Sequence, residues 1–218
     1  MNIKVIDKSL DGIQIPANGS VLMIANHPFG IIDGIIMCSL ASEVRSDYKI
    51  ITHETLRFAP ELDRFILPID FNEKSKNTIK NNIQTTKKAK KHLLDGGLLI
   101  IFPSGSVSIA KTMKSSAKDD QWKTFIAKLI KQTKTDILPV YFDGKNGFLF
   151  HIFASKLRNQ TLKYSTYIHE TKKMIGKEIK IYPGELIKFT DIDKIKDRAE
   201  LTNYLKHITY NLSKISNE

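Results

Sequence analysis

Short apolar runs alternate along this chain with longer amphipathic ones. Val21–Ala25 is uninterrupted and apolar, the pattern of a strand buried on both faces. Lys49–Thr52, Phe65–Ile69, Leu98–Phe102 and Ile137–Phe142 read as further strands, and Glu178–Tyr182 alternates as a strand does. Between them, Gly30 to Val44 reads as a helix. Asn77 to Leu94 is long, polar and free of Gly and Pro, and Asp95-Gly96-Gly97 stops it. Asp120 to Gln132, Gly147 to Leu157 and Asp191 to Leu212 read as helices as well, the last one closing the fold. Short strands separated by longer helices predict an α/β fold with a mostly parallel central sheet covered by helices. A single domain over residues 1–218 is expected. In such sheets the active site lies at the carboxyl ends of the strands, on loops that lead into helices. The loops after Val21–Ala25 and Leu98–Phe102 are the most distinctive ones.

Charge changes this picture. Lys and Arg number 34 against 23 Asp and Glu, a formal net charge of +11. Such a surface attracts polyanions, whether nucleic acid, anionic lipid headgroups or an acidic carrier protein. Most of the excess is Lys, a diffuse attractor, rather than Arg, which suits bidentate phosphate recognition. Lys74, Lys76, Lys80, Lys87, Lys88, Lys90 and Lys91 form a basic cluster on and before one helix. It reads as a solvated face or as a dock for an anionic membrane or carrier protein. No helix-turn-helix, zinc or RNA-recognition signature accompanies the charge, so nucleic acid is not expected as a partner. The one cysteine, Cys38, excludes an intrachain disulfide and any multi-cysteine metal site, and its apolar neighbours predict a buried structural thiol. His53, His92, His151, His169 and His207 lack metal-site spacing, so no metal is expected. Trp122, Phe125 and the aromatic run Phe148 to Phe153 read as core, or as an acyl-chain wall. Met1 to Leu10 alternates and lacks the apolar run of a signal peptide. No stretch reaches the roughly 20 apolar residues of a spanning helix, so membrane contact is expected to be peripheral. Only Ser213 to Glu218 reads as disordered.

The candidate chemistry sits at Asn26-His27-Pro28-Phe29-Gly30-Ile31-Ile32-Asp33-Gly34. The apolar strand stops at Asn26-His27, Pro28 holds His27 extended, and Gly30 permits an unusual backbone angle. A helix then starts with Asp33 in its first turn, where a carboxylate is electrostatically favoured. A neutral imidazole here can take a proton from an attacking hydroxyl, while a carboxylate on its other nitrogen fixes the tautomer and stabilises the imidazolium. The plain alternative is a helix-capping pair with no chemistry.

This segment resembles the first motif of the glycerolipid acyltransferase superfamily, which includes the lysophosphatidate acyltransferases. It is most similar to the haemolysin-like branch with the ornithine-lipid acyltransferases. The widespread motif has four residues between His and Asp; five stand here, as that branch also shows. Four later segments resemble further blocks. In Pro60 to Ile69, Arg64, or else Arg57, is the candidate to hold a phosphate or carboxylate of the acceptor. Gly97 to Ser108 resembles the Phe-Pro-x-Gly turn, where Ser104, Gly105, Ser106 and Ser108 are candidates to hold an anion or oxyanion. Many members carry a glutamate just before that glycine, and the branch often has one just after it. Ser104 and Ser106 occupy those places here and bring no negative charge. Ile137 to Asn146 and Lys177 to Ile187 resemble the fourth block and the late strand. The likeness spans about residues 15 to 190.

The resemblance implies acyl transfer at the cytoplasmic face of a membrane. A thioester donor, acyl-carrier protein or acyl-CoA, is attacked by the hydroxyl of a lysolipid, either lyso-ornithine lipid or a lysophospholipid. His27 and Asp33 serve as the base pair; Gly30, Arg64, Ser104, Gly105 and Ser106 serve in binding; no bound cofactor is implied. The rival expectation is a non-catalytic lipid- or carrier-binding protein on the same fold, favoured by the missing glutamate.

Overall fold

The computed structural model describes residues 3–9, 12–53, 60–69, 76–147, 150–151 and 160–215, with backbone alone for 60, 76–77, 160–165 and 215. Among the described residues seven strands form one sheet: β1 (Lys4–Asp7), β2 (Val21–Ala25), β3 (Lys49–His53), β4 (Ile66–Ile69), β5 (Leu98–Ile101), β6 (Asp136–Asp143) and β7 (Glu178–Pro183). Their order across the sheet is β1-β7-β6-β2-β5-β3-β4. Every neighbouring pair is parallel except β6 and β7. The described helices are α1 (Ile31–Val44), α2 (Pro60–Asp63), α3 (Lys76–Leu94), α4 (Phe125–Thr133), α5 (Gln160–Met174), α6 (Phe189–Ile192) and α7 (Arg198–Ile215). The predicted α/β architecture, a mostly parallel sheet covered by helices, is what the chain adopts.

The period of two in each strand divides the core. Val21, Met23 and Ala25 join Leu98, Ile100, Leu138 and Val140 beneath α1, with Met174 of α5 packed against them. Leu22 and Ile24 face the other way with Leu99, Ile101 and Ile137. They meet Ala89 and Leu93 of α3, Ile126 and Ile130 of α4, and Leu201 and Leu205 of α7. Both faces being covered explains why the central strands read as unbroken apolar runs.

Several expectations are corrected. The alternation near the N-terminus is a strand: β1 lies parallel to β7 at the sheet edge. β7 runs antiparallel to β6 rather than extending the parallel set. The ladder between them ends where Val140 faces Pro183, and the missing amide of Pro139 falls just beyond it. The helix expected from Asp120 starts only at Phe125, because the preceding residues are held elsewhere: the Lys123 amide donates to the Pro103 carbonyl at 2.9 Å. The closing helix is split, and Asp197 caps its long part by accepting from the Glu200 amide at 2.7 Å. That part runs on through Ser213 to Ile215, which reads as disordered in the sequence. α5 is unforeseen, its polar, threonine-rich sequence carrying little helical periodicity. The helix expected over Gly147 to Leu157 lies mostly outside the described residues.

Cys38 is half-buried against the core, and burial pushes its thiol up to about 12. Among the described residues no helix is long and apolar enough to cross a membrane.

Candidate active site

β2 delivers its chain end into a buried position beside β6. Asn26, 1% exposed, copies a strand pairing with its side chain: its Nδ2 donates to the Phe142 carbonyl at 2.9 Å, and its Oδ1 accepts from the Phe142 amide at 2.7 Å. These two bonds continue the β2–β6 ladder one step past Ala25 and set where His27 begins.

His27 is then fixed from both sides by the segment after β5. Its carbonyl accepts from the Ser108 amide at 2.8 Å, and its amide donates to Asp119 Oδ1 at 3.2 Å. The ring stacks on Phe102, centroids 4.0 Å apart and planes 21° from parallel. Phe102 can do this because β5 ends one residue earlier than its apolar run suggests.

Gly30 makes the turn into α1 with φ 79° and ψ −116°, backbone that side-chain-bearing residues avoid. A Cβ there would also press on Val107 Cγ2 at 3.3 Å and Tyr167 Cδ1 at 3.4 Å. The turn folds Asp33 back beneath the loop. Its Oδ2 accepts from His27 Nδ1 at 3.0 Å, from the Phe29 amide at 2.9 Å and from the Gly30 amide at 3.0 Å. The Asp33 side chain is fully buried, whereas His27 keeps 18% of its own exposed. Burial pushes the Asp33 carboxyl above the usual carboxylate range, against the downward pull of His27 and the two amides. Three donors converging on one oxygen, at a helix N-terminus, favour the ionised form. A proton on Asp33 Oδ1 would find no acceptor, since that atom is buried without a partner.

With Nδ1–H pointing at Asp33, the lone pair of His27 lies on Nε2, which makes no hydrogen bond among the described residues. The arrangement is therefore a base with its tautomer fixed, a buried counter-charge behind it and an open front. Among the described residues, no group of three His, Cys, Asp or Glu side chains is placed to hold a metal ion.

One consequence is testable. In Asp33→Asn, an amide oxygen at the Oδ2 position keeps all three donors, so geometry and tautomer survive while the counter-charge goes. The expected outcome is a fall in kcat of about 10²–10³-fold with little change in KM, measured by steady-state kinetics.

The other predicted residues fall into two groups. Ser104, Gly105 and Ser106 do form the turn after β5, at the carboxyl end of the sheet beside Phe102. However, the Ser104 hydroxyl donates to the Ser106 carbonyl at 2.7 Å, and the Gly105 amide to the Phe102 carbonyl at 3.0 Å. The Ser108 hydroxyl donates to Asp119 Oδ1. These groups brace the turn, and only the Ser106 hydroxyl stands at the rim, 3.4 Å from Asp120 Oδ2. A carboxylate thus does approach this turn, from Asp120 rather than from position 104 or 106. Arg64 is the correction. It precedes β4 at the amino ends of the parallel strands, where its carbonyl accepts from Lys49 Nζ at 2.8 Å and its guanidinium lies over Phe65, 4.5 Å from the centroid. His27 follows β2 at the opposite ends, three strands away, or about 14 Å across the sheet and a strand length along it. Arg64 does not meet the pair. Arg57 lies outside the described residues.

Asp119 is the residue the sequence reading missed. It is buried, and it accepts from the His27 amide, the Ser108 hydroxyl and Trp122 Nε1, the last at 2.7 Å. Its backbone amide donates to the Tyr210 hydroxyl at 2.8 Å, and Lys206 Nζ reaches its carbonyl at 3.0 Å. The signal was Trp122: a buried indole N–H needs an acceptor, and Asp119 stands three residues before it.

The buried carboxylate–histidine pair thus stands at the carboxyl ends of the parallel strands of an α/β sheet, with one imidazole nitrogen turned outward. Residues 4–217 match the family described as Acyltransferase, and the chain belongs to that family. It is similar to two lyso-glycine lipid O-acyltransferases. One, from Phocaeicola vulgatus, is 24% identical over 97% of this chain and 74% of its own length. The other, from Bacteroides thetaiotaomicron, is 27% identical over 97% and 76%. The crystal structure of the 1-acyl-sn-glycerophosphate acyltransferase from Thermotoga maritima shares the fold, with a TM-score of 0.58 at 15% identity, over 99% of this chain and 73% of that one.

Proposed function

We propose that this enzyme transfers a fatty acyl group from a thioester donor to the hydroxyl of a lysolipid, with His27 as general base and Asp33 as its orienting counter-charge. The observation that carries the reading is the 3.0 Å contact from His27 Nδ1 to Asp33 Oδ2 at the carboxyl edge of the sheet. The names of the two curated relatives support a lysolipid acceptor and transfer to oxygen. His27 Nε2 takes the proton of the acceptor hydroxyl as its oxygen attacks the thioester carbonyl. The C–O bond forms, the C–S bond breaks, and the departing thiolate of acyl-carrier protein or coenzyme A takes the proton back from Nε2. The step draws on no cofactor beyond the donor.

The test is a lipid profile of cells expressing the wild type or His27→Ala. Beside it runs an in vitro assay with labelled acyl-carrier protein and acyl-CoA against a panel of lysolipids. A new diacyl species made by the wild type and lost with His27→Ala is the expected result. No product from the folded wild type, across both donors and the whole panel, overturns the reading in favour of a non-catalytic lipid- or carrier-binding protein.

The enzyme works as a peripheral protein on the anionic, cytoplasmic face of a membrane. In support, α3 exposes Lys80, Lys87, Lys88 and Lys91 together with Ile79 and Ile83. Lys74 lies outside the described residues. Removing a surface lysine is expected to weaken binding to anionic vesicles about fivefold at low salt, and added salt to weaken it further, measured by sedimentation. Equal binding to neutral and anionic vesicles overturns this.

A further inference from the structure

Among the described residues, the buried side-chain nitrogen and oxygen atoms without a hydrogen-bond partner belong to two residues, Asp33 and Asn146. Asp33 is in the base pair already described. Asn146 is 4% exposed, and neither its Nδ2 nor its Oδ1 has a partner. A folded protein pairs nearly all of its buried polar groups, and an amide with both ends unpaired calls for a partner that comes and goes.

The backbone around Asn146 is held on every side. Its carbonyl accepts from His151 Nε2 at 3.0 Å, and His151 Nδ1 accepts from the Ala110 amide at 3.3 Å, so this imidazole is neutral. The next amide, of Gly147, donates to Glu170 Oε2 on α5 at 2.6 Å. On the other side Lys145 Nζ donates to the Met113 and Ser115 carbonyls, each at 2.7 Å. Gly144 lies directly on Phe29: a Cβ there would come within 2.4 Å of Phe29 Cζ. Phe29 is two residues from His27. Asn146 therefore follows β6 at the carboxyl end of the sheet, on the same side as the His27–Asp33 pair, with these contacts holding the backbone around it.

The chemistry of the missing partner follows from the amide itself. Oδ1 needs a donor and Nδ2 needs an acceptor, and burial favours a neutral group over a charged one. An ester offers acceptors only, whereas an amide offers an N–H beside its carbonyl. We propose that Asn146 reads the linkage of the acceptor lipid, favouring a chain joined to its headgroup by an amide over one joined by an ester. Oδ1 accepts the amide N–H, and Nδ2 donates to a carbonyl of the same lipid. The proposal rests on the acyl-transfer reading above for what the lipid is doing there. Glycine acylated on its nitrogen is one such amide.

The experiment compares two acceptors that differ in one atom: an N-(hydroxyacyl)glycine and the corresponding hydroxyacyl ester of glycolate. The wild type is expected to favour the amide ten- to a hundredfold in kcat/KM. In Asn146→Leu, a near-isosteric change, that ratio falls to near one through a raised KM for the amide, with kcat little altered. Its thermal midpoint is unchanged or higher, because an unpaired amide has been replaced by an apolar group. Asn146→Asp, which keeps an acceptor oxygen, retains part of the preference. A wild-type ratio near one, or one that Asn146→Leu leaves intact, overturns the proposal and leaves a hydrated amide only. If the wild type acylates nothing, the acyl-transfer reading fails by itself. Calorimetric binding of the same two compounds to His27→Ala, with and without Asn146→Leu, then decides the role of Asn146 independently.

Discussion

His27→Ala is expected to lower kcat for acyl transfer by about 10²–10⁴-fold while acceptor KM changes little. The reason is geometric. Removing the ring removes the one nitrogen at the mouth of the sheet that has its tautomer set and its front open, and the Ser104, Gly105 and Ser108 groups behind it are all engaged elsewhere. The same change leaves Asp33 buried with two donors instead of three, so a loss of about 1–3 kcal/mol in stability accompanies it. His27→Gln separates the two effects, since it keeps an N–H but offers no base. Its stability is expected to lie closer to wild type while its kcat stays as low. Steady-state kinetics and chemical denaturation on the two variants check this. A His27→Ala protein that is folded and still turns over within tenfold of wild type would sink the base assignment.

Asp119 carries the second large effect. Asp119→Ala strands three donors at once: the His27 amide, the Ser108 hydroxyl and the Trp122 indole N–H. Each buried unpaired donor costs about 1–3 kcal/mol; because the three share one site and relax together, a loss near the low end of their sum, about 3–5 kcal/mol, is expected, together with a fall in kcat as His27 loses its anchor. Stability alone does not distinguish a brace from a positioning residue. Trp122→Phe provides the contrast: it removes one donor from Asp119 and leaves the bond to the His27 amide in place. It is expected to lose stability with kcat retained, as is Asp119→Asn, whose amide oxygen keeps the His27 amide and the Ser108 hydroxyl while its NH₂ faces the indole; Asp119→Ala loses both. Denaturant midpoints and kcat on the three variants give the comparison. Equal kcat losses for Trp122→Phe and Asp119→Ala would reduce Asp119 to a general support.

How much of this was legible beforehand follows from the range over which each feature is determined. The His27–Asp33 pair is local: strand, Pro28, Gly30 and helix start lie within nine residues, and their individual backbone preferences already fold the carboxylate under the imidazole. The central strands were legible because unbroken apolar runs have few other uses. Arg64 shows where such reading stops. Its identity suits anion binding, yet which end of the sheet it occupies depends on whether it precedes or follows its strand, and it precedes β4. The bonds from Asn26 to Phe142 and from Asp119 to His27 were not legible for another reason. Their partners lie 116 and 92 residues away, at Phe142 and His27, and only the sheet order brings them together. The antiparallel setting of β7 is likewise a property of the connection before it, not of its own alternation.

The clamp on His27 also sets an order of events during synthesis. The two members of the pair are six residues apart and can meet soon after β2 and α1 emerge. Asp119, by contrast, draws its own fixing from Tyr210 and Lys206 on α7, and β1 finds its neighbour only when β7 has been made, 174 residues later. A nascent chain therefore carries His27 and Asp33 long before the contacts that fix His27 from Asp119 are complete. The clamp is complete only once α7 has docked, so the geometry of the pair is among the last features of the fold to be set.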